Sequence, residues 1–125
     1  MGKLKRFEEM SMWVSARGLV KDIYAISKTP LFFRDYGLRD QIRRASISIA
    51  SNIAEGFESQ SNPSFCRFLS SARGSAAEVR AQLYLALDLG YISGPDFVAI
   101  SSQAESISRQ ITGLLNYLKK SPHRK

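Results

Sequence analysis

Apolar residues recur along this chain with the period of a helix, and nowhere do they alternate for long as a strand would. The first periodic stretch runs from about Phe7 to Ser27. In it Trp13, Ala16, Val20 and Tyr24 make one stripe, and Met12, Leu19, Ile23 and Ile26 make a second beside it. The segment "KTPLFFRDYG" then interrupts the pattern with a proline and a glycine. A second helix is predicted over 37–55, with Asp35 as a candidate cap. Leu38, Ile42, Ala45, Ile49 and Ile53 share one face at about 100° per residue, and Ile47, Ala50 and Ala54 lie on another flank. Gly56 is placed to stop this helix as a left-handed residue, with Phe57 following as its hydrophobic contact.

Asn62-Pro63 reads as the next start signal, a side-chain oxygen at the cap and then a proline whose missing N–H costs nothing. The third helix is predicted over 63–89, with Phe65, Phe68, Leu69, Ala72, Ala76, Val79, Leu83, Ala86 and Leu87 on its inner side. Gly90-Tyr91 closes it. A fourth helix follows over 94–120, facing inward through Phe97, Ile100, Ala104, Ile107, Ile111, Leu114, Leu115 and Leu118.

Four long amphipathic helices with short connections predict an all-α, up-down-up-down four-helix bundle, one domain over residues 1–125 with short basic tails. A monomeric bundle needs one apolar stripe per helix, and this chain has some to spare. The surplus marks a candidate oligomer interface made of Met12, Leu19, Ile26, Ile47, Ala50, Ala54, Leu85 and Leu89.

The net charge of +7 changes the picture through its location. Lys3, Lys5 and Arg6 precede the first helix, and Lys119, Lys120, Arg124 and Lys125 close the chain. Taking those seven from the 18 basic residues leaves 11, against 11 acidic residues between Phe7 and Leu118. The body is neutral, and the excess sits at the two ends. In an up-down-up-down bundle those ends share a pole, so these seven residues form a candidate phosphate-binding surface. The alternative is that they are solvated tails on a homo-oligomeric protein-interaction scaffold with no direct nucleic-acid role.

Enzyme chemistry finds little footing. The only histidine, His123, lies in the basic tail, so no Ser-His-Asp or Cys-His arrangement assembles within one subunit. No His/Cys cluster has metal-ligand spacing, and no strand precedes a glycine-rich phosphate loop. Glu55 with Glu58, and Glu78 with Asp88, are carboxylate pairs without an identifiable base partner or pocket. Arg67 follows Cys66, but neighbouring side chains on a helix point apart, which leaves an inert thiol. A helix-turn-helix reading fails because the connection from Gly56 to Asn62 is too long. No enzymatic activity, cofactor or metal is expected. The absence of a signal peptide or a membrane-length apolar run, with a single cysteine, predicts a cytoplasmic protein.

The aromatics Trp13, Phe65 and Phe68 fall on core stripes, so base stacking is not expected there. Within "SIASNIAEGF", Ser48 to Phe57, the polar residues Asn52 and Glu55 are predicted to form a structural lock. Glu55 would accept from the start of the first helix or pair with Arg6 or Arg67, and Asn52 would link neighbouring helices.

"YGLRDQIRRASISIASNIAEGF", Tyr36 to Phe57, resembles the signature of the four-helix-bundle proteins encoded in intervening sequences of large-subunit ribosomal RNA genes. "MWVSARGLVKDIY" and "FCRFLSSARGSAAEVRAQL" are similar to further segments of that family, so the resemblance spans roughly Phe7 to Leu118. Ala50 stands where the family usually has proline. The third helix reads Ala76-Ala77-Glu78-Val79-Arg80 where a Leu-Glu-Leu-Glu-like run is usual. The accessory variability proteins of diversity-generating retroelements look like relatives. The resemblance implies a homo-oligomer, typically a ring of five, without enzymatic activity. Its retroelement relatives imply RNA or DNA and a reverse transcriptase as possible partners.

Overall fold

The computed structural model describes residues 4–120. Five α-helices and one 3-10 turn make up its secondary structure, and there is no strand among the described residues. The long helices are α1 (Ser11–Ile26), α3 (Tyr36–Glu58), α4 (Asn62–Asp88) and α5 (Gly94–Lys120); α2 (Pro30–Arg34) is a short helix between the first two. Helix α1 packs against α3 and α5, α3 against α4, and α4 against α5, so the four long helices close an antiparallel bundle.

The predicted first helix is broken near its start. Phe7–Glu9 form a 3-10 turn, Met10 is extended, and only then does α1 begin. The core stripe explains the break. Met12, Ala16, Leu19 and Ile23 are buried at spacings of four, three and four, and an unbroken helix would carry that stripe back onto Glu8 and Glu9. Extending the chain at Met10 turns its own side chain inward instead, at 3% exposure. Phe7 meets the edge of Trp13, with ring centroids 5.0 Å apart. The two stripes expected on this helix are therefore one stripe and a flank, with Trp13, Val20 and Tyr24 only half-buried.

"PLFFR", expected as an interruption, folds into α2 because Pro30 presets its first turn and Phe32 buries completely in the core. Asp35 then caps α3, its Oδ1 accepting from Leu38 N at 3.0 Å.

Helix α3 does not stop at Glu55. It runs through Gly56 to Glu58, and Gly90 is the only residue with positive φ among the described residues. Gly56 serves close approach rather than a turn: a Cβ there would stand 2.8 Å from Phe65 Cδ1 and 3.0 Å from Phe68 Cβ. The start of α4 also differs by one residue from the reading of Asn62 as its cap. Ser61 is the cap, its hydroxyl accepting from Ser64 N at 3.2 Å. Asn62 is inside the helix and buried, donating through Nδ2 to Leu118 O on α5 at 3.5 Å.

The far end of α4 closes as expected. Gly90, at φ 75°, donates to Leu87 O at 3.0 Å, and Tyr91 N donates to Ala86 O at 2.9 Å. These are the two bonds of a Schellman closure. Along α4 the buried Phe65, Leu69, Ala72, Ala76, Val79, Leu83 and Ala86 alternate steps of four and three, a heptad face against α3 and α5. Each fully buried Leu, Ile or Phe on such a face contributes roughly 1.5–3 kcal/mol.

Candidate nucleic-acid interface

Antiparallel packing determines which chain segments meet at each pole. The 3-10 turn packs against α1 and α3, and Asn62 joins the start of α4 to Leu118 near the end of α5. Lys5, Arg6, Lys119 and Lys120 are accordingly exposed at one end of the bundle. Lys3, Arg124 and Lys125, expected in the same cluster, lie outside the described residues. Lys119 and Lys120 occupy the last turn of α5, where the helix dipole favours positive charge. The pole is not purely basic. Glu9 accepts from the Lys5 backbone N at 3.1 Å and stands 3.9 Å from Arg6 Nε, an exposed pair of little energetic weight.

The predicted polar lock is overturned in both of its parts. Glu55 is exposed and has no hydrogen-bond or ion-pair partner among the described residues. The helix 1 start it was to cap is replaced by the 3-10 turn, and Arg67 Nη2 donates instead to Ser64 Oγ at 2.8 Å. Asn52 bonds within its own helix, donating through Nδ2 to Ser48 O at 2.8 Å and to Ser48 Oγ at 3.0 Å. Ser48 makes the link between helices, because Ser75 on α4 donates to the Ser48 hydroxyl at 3.0 Å. Small side chains let α3 and α4 approach along this seam. Beside it a groove of about 360 Å³ is lined by Gln41, Arg44, Ser48, Ser75, Glu78 and Gln82, among others.

The candidate oligomer interface is divided by the fold. Met12 and Leu19 are core residues, 8% and 0% exposed, and are removed from any surface because they lie on the single inward stripe of α1. Ile26, Ala50 and Ala54 are half-buried within the bundle. Ile47 on α3, with Leu85 on α4 and Leu89 at its C-cap, remains exposed.

Arg39 and Arg43, which the sequence offers only as second-line basic candidates behind the terminal residues, join three aromatic rings in a cluster at the pole opposite the termini. Arg39 Cζ lies 4.5 Å from the centroid of Phe33 and 4.8 Å from that of Tyr36. Arg43 Cζ lies 4.4 Å from Tyr24 and 5.7 Å from Phe33. Guanidinium and aromatic groups therefore alternate in the order Tyr36, Arg39, Phe33, Arg43, Tyr24. Hydrogen bonds hold both arginines in place. Arg39 donates to Asp40 Oδ1 at 2.9 Å and to Phe33 O at 3.1 Å. Arg43 Nε donates to the buried Ser27 hydroxyl at 2.8 Å. The available signal was Arg39 and Arg43 one helical turn apart, close to Phe33 and Tyr36 in sequence. It stays hidden in the sequence because a proline and a glycine mark this segment as a break and Tyr24 falls on an apolar stripe.

Residues 8–113 match the family described as 23S rRNA-intervening sequence protein. The chain belongs to that family. A crystal structure of a protein of unknown function, from the S23 ribosomal protein family of Bacteroides thetaiotaomicron VPI-5482, is similar in fold to this family member. Its TM-score is 0.78 at 21% identity, over 83% of this chain and 97% of that one. No curated protein matches the chain. No helix among the described residues is long and apolar enough to cross a membrane, and no group of three or more His, Cys, Asp or Glu could hold a metal ion among them.

Proposed function

We propose that this intervening-sequence family member is a non-enzymatic, oligomeric accessory protein that binds nucleic acid, RNA in preference, through the basic pole at its termini. The observation that carries the reading is the exposure of Lys5, Arg6, Lys119 and Lys120 at one end of the bundle, continued in sequence by Lys3, Arg124 and Lys125. The family's association with 23S rRNA intervening sequences favours RNA over DNA. A cyclic assembly, with five subunits as the resemblance implies, presents these clusters together and makes phosphate binding polyvalent. A reverse transcriptase is the protein partner suggested by the retroelement relatives. The free Cys66 suits a cytoplasmic, reducing setting.

A titration of single-stranded and duplex RNA at two salt concentrations tests this. Affinity should fall by roughly 300- to 2,000-fold or more between about 50 and 200 mM salt if each assembly neutralises six or more phosphates. Changing the seven terminal basic residues to Gln should flatten that dependence. Unchanged binding by the neutralised protein would remove the pole from consideration.

The exposed Tyr84, Leu85, Leu89 and Val98 favour a second reading, a homo-oligomeric protein-interaction scaffold without a nucleic-acid role. On that reading the wild-type protein self-associates and binds no RNA at either salt concentration.

A further inference from the structure

The alternating cluster at the opposite pole has more exposed aromatic surface than an internal clip needs. A clip that only fastened α2 to α1 and α3 would cover its rings, yet Tyr36 is 65% exposed and Phe33 44% exposed. The arginines between them are already oriented by bonds to Asp40, Phe33 O and Ser27, so their planes are set before any partner arrives. Nη2 of Arg39 and Nη1 of Arg43 have no acceptor among the described residues. Next to the inner end of the series is a hollow of about 320 Å³ lined by Tyr24, Asp40, Arg43, Arg44 and Ile47. Between Arg34 and Arg44 four arginines face two aspartates, a local charge of +2 within a body that is neutral as a whole. Asp35 is occupied by Leu38 N and the Tyr91 hydroxyl, and Asp40 by Arg39.

We infer that the Tyr36–Arg39–Phe33–Arg43–Tyr24 series is a stacking platform for unpaired bases of single-stranded RNA. One base extends the series on the open face of Tyr36, and the hollow beside Tyr24 at the other end receives another. Phe33 holds the two guanidinium planes apart between them. The free guanidinium N–H groups and Arg44 hold the connecting phosphates. Every base has a π-face, so such a surface selects unpaired over paired RNA without reading sequence. Arginine adds both a stacking plane and a charge. This rests on the nucleic-acid reading above but adds a second site, one whose binding depends on bases rather than on charge alone.

The test compares an unstructured single-stranded RNA oligonucleotide with an abasic strand of the same length, on the full chain. Tyr36→Ala should weaken binding of the base-containing strand by roughly 5- to 150-fold, the range for loss of one stacked base. It should leave the abasic strand and the slope of affinity against salt unchanged. Tyr36→Phe should retain wild-type affinity. Because Tyr36 is exposed, thermal unfolding should not move, and Phe33→Ala, which removes the ring between the two arginines, gives a second position in the series. The platform is overturned if Tyr36→Ala and Phe33→Ala both bind the base-containing strand like wild type. It is equally overturned if they weaken both strands alike, or if they alter sedimentation without altering RNA binding. The two sites separate cleanly. If the platform is wrong and the pole right, neutralising the termini removes binding and these substitutions do not. If the pole is wrong and the platform right, the neutralised protein keeps its preference for the base-containing strand. A wild-type protein that binds no RNA overturns both.

Discussion

Gly56 lies so close to Phe65 that a Cβ on the glycine would come within 2.8 Å of the ring's Cδ1. This contact determines where α3 and α4 cross just before the connection that joins them. Phe65 is 1% exposed and its ring meets Phe57 edge-on at 6.3 Å, so it has little room to retreat. The second close atom, Phe68 Cβ, is fixed by its backbone. Gly56→Ala should therefore destabilise the protein by about 1–3 kcal/mol, although alanine is the better helix former. Chemical denaturation measures this directly, and a stabilised variant would show that the helices can separate without penalty.

Gly90 and Gly74 should respond to alanine in opposite directions. Gly90→Ala puts a side chain at φ 75° and should cost about 1 kcal/mol. Gly74 is exposed inside α4, with nothing within 4 Å of a Cβ, so Gly74→Ala should stabilise by about 0.5–1 kcal/mol. Paired thermal melts of the two variants decide whether backbone conformation or position near a helix end governs the response.

Tyr91 donates to Asp35 Oδ2 at 2.9 Å, tying the α4–α5 turn to the cap of α3. That hydrogen bond, then burial, then the nearby carboxylate charge hold the Tyr91 pKa above its ordinary 10.0. The folded value exceeds the unfolded one, so the contribution to stability is complete below about pH 10 and is lost as pH rises through the folded value. Phenolate absorbance should show one tyrosine titrating late, and Tyr91→Phe should remove that component. Late titration that persists in Tyr91→Phe would assign it to another tyrosine.

Leu19 and Leu85 distinguish the core from the spare apolar surface. Leu19→Ala should cost about 2.7–5 kcal/mol because its site is fully buried. A Leu85→Ala, Leu89→Ala double variant should change monomer stability by no more than about 0.5 kcal/mol per site, since both leucines are more than half exposed. If these leucines carry self-association, that variant should sediment at lower mass than wild type. Unchanged mass would put the interface elsewhere.

Much of the fold was legible because its signals are local and repetitive. The heptad face of α4 and the Gly90-Tyr91 closure need only spacing and one residue type. The errors arose where two segments had to be considered together. Gly56 has the composition of a helix stop, but Phe65 on the next helix gives the position a different requirement. The first-helix stripe looked continuous until its register ran onto Glu8 and Glu9. The partners expected for Glu55 and Asn52 suppose an idealised bundle, and the chain between Arg6 and Ser11 does not follow that ideal.

By itself the sequence determined four long helices, their antiparallel order, the neutral body with basic ends, and family membership. These follow from periodicity, connection length and local charge, which do not depend on how helices rotate against one another. Tertiary structure alone decided which of two stripes on α1 faces inward, that Ser48 rather than Asn52 bridges to α4, and that two arginines lie among three aromatics from three helices. Those outcomes depend on helix rotation and close approach. At about 100° per residue, a slip of one position moves a side chain from core to solvent.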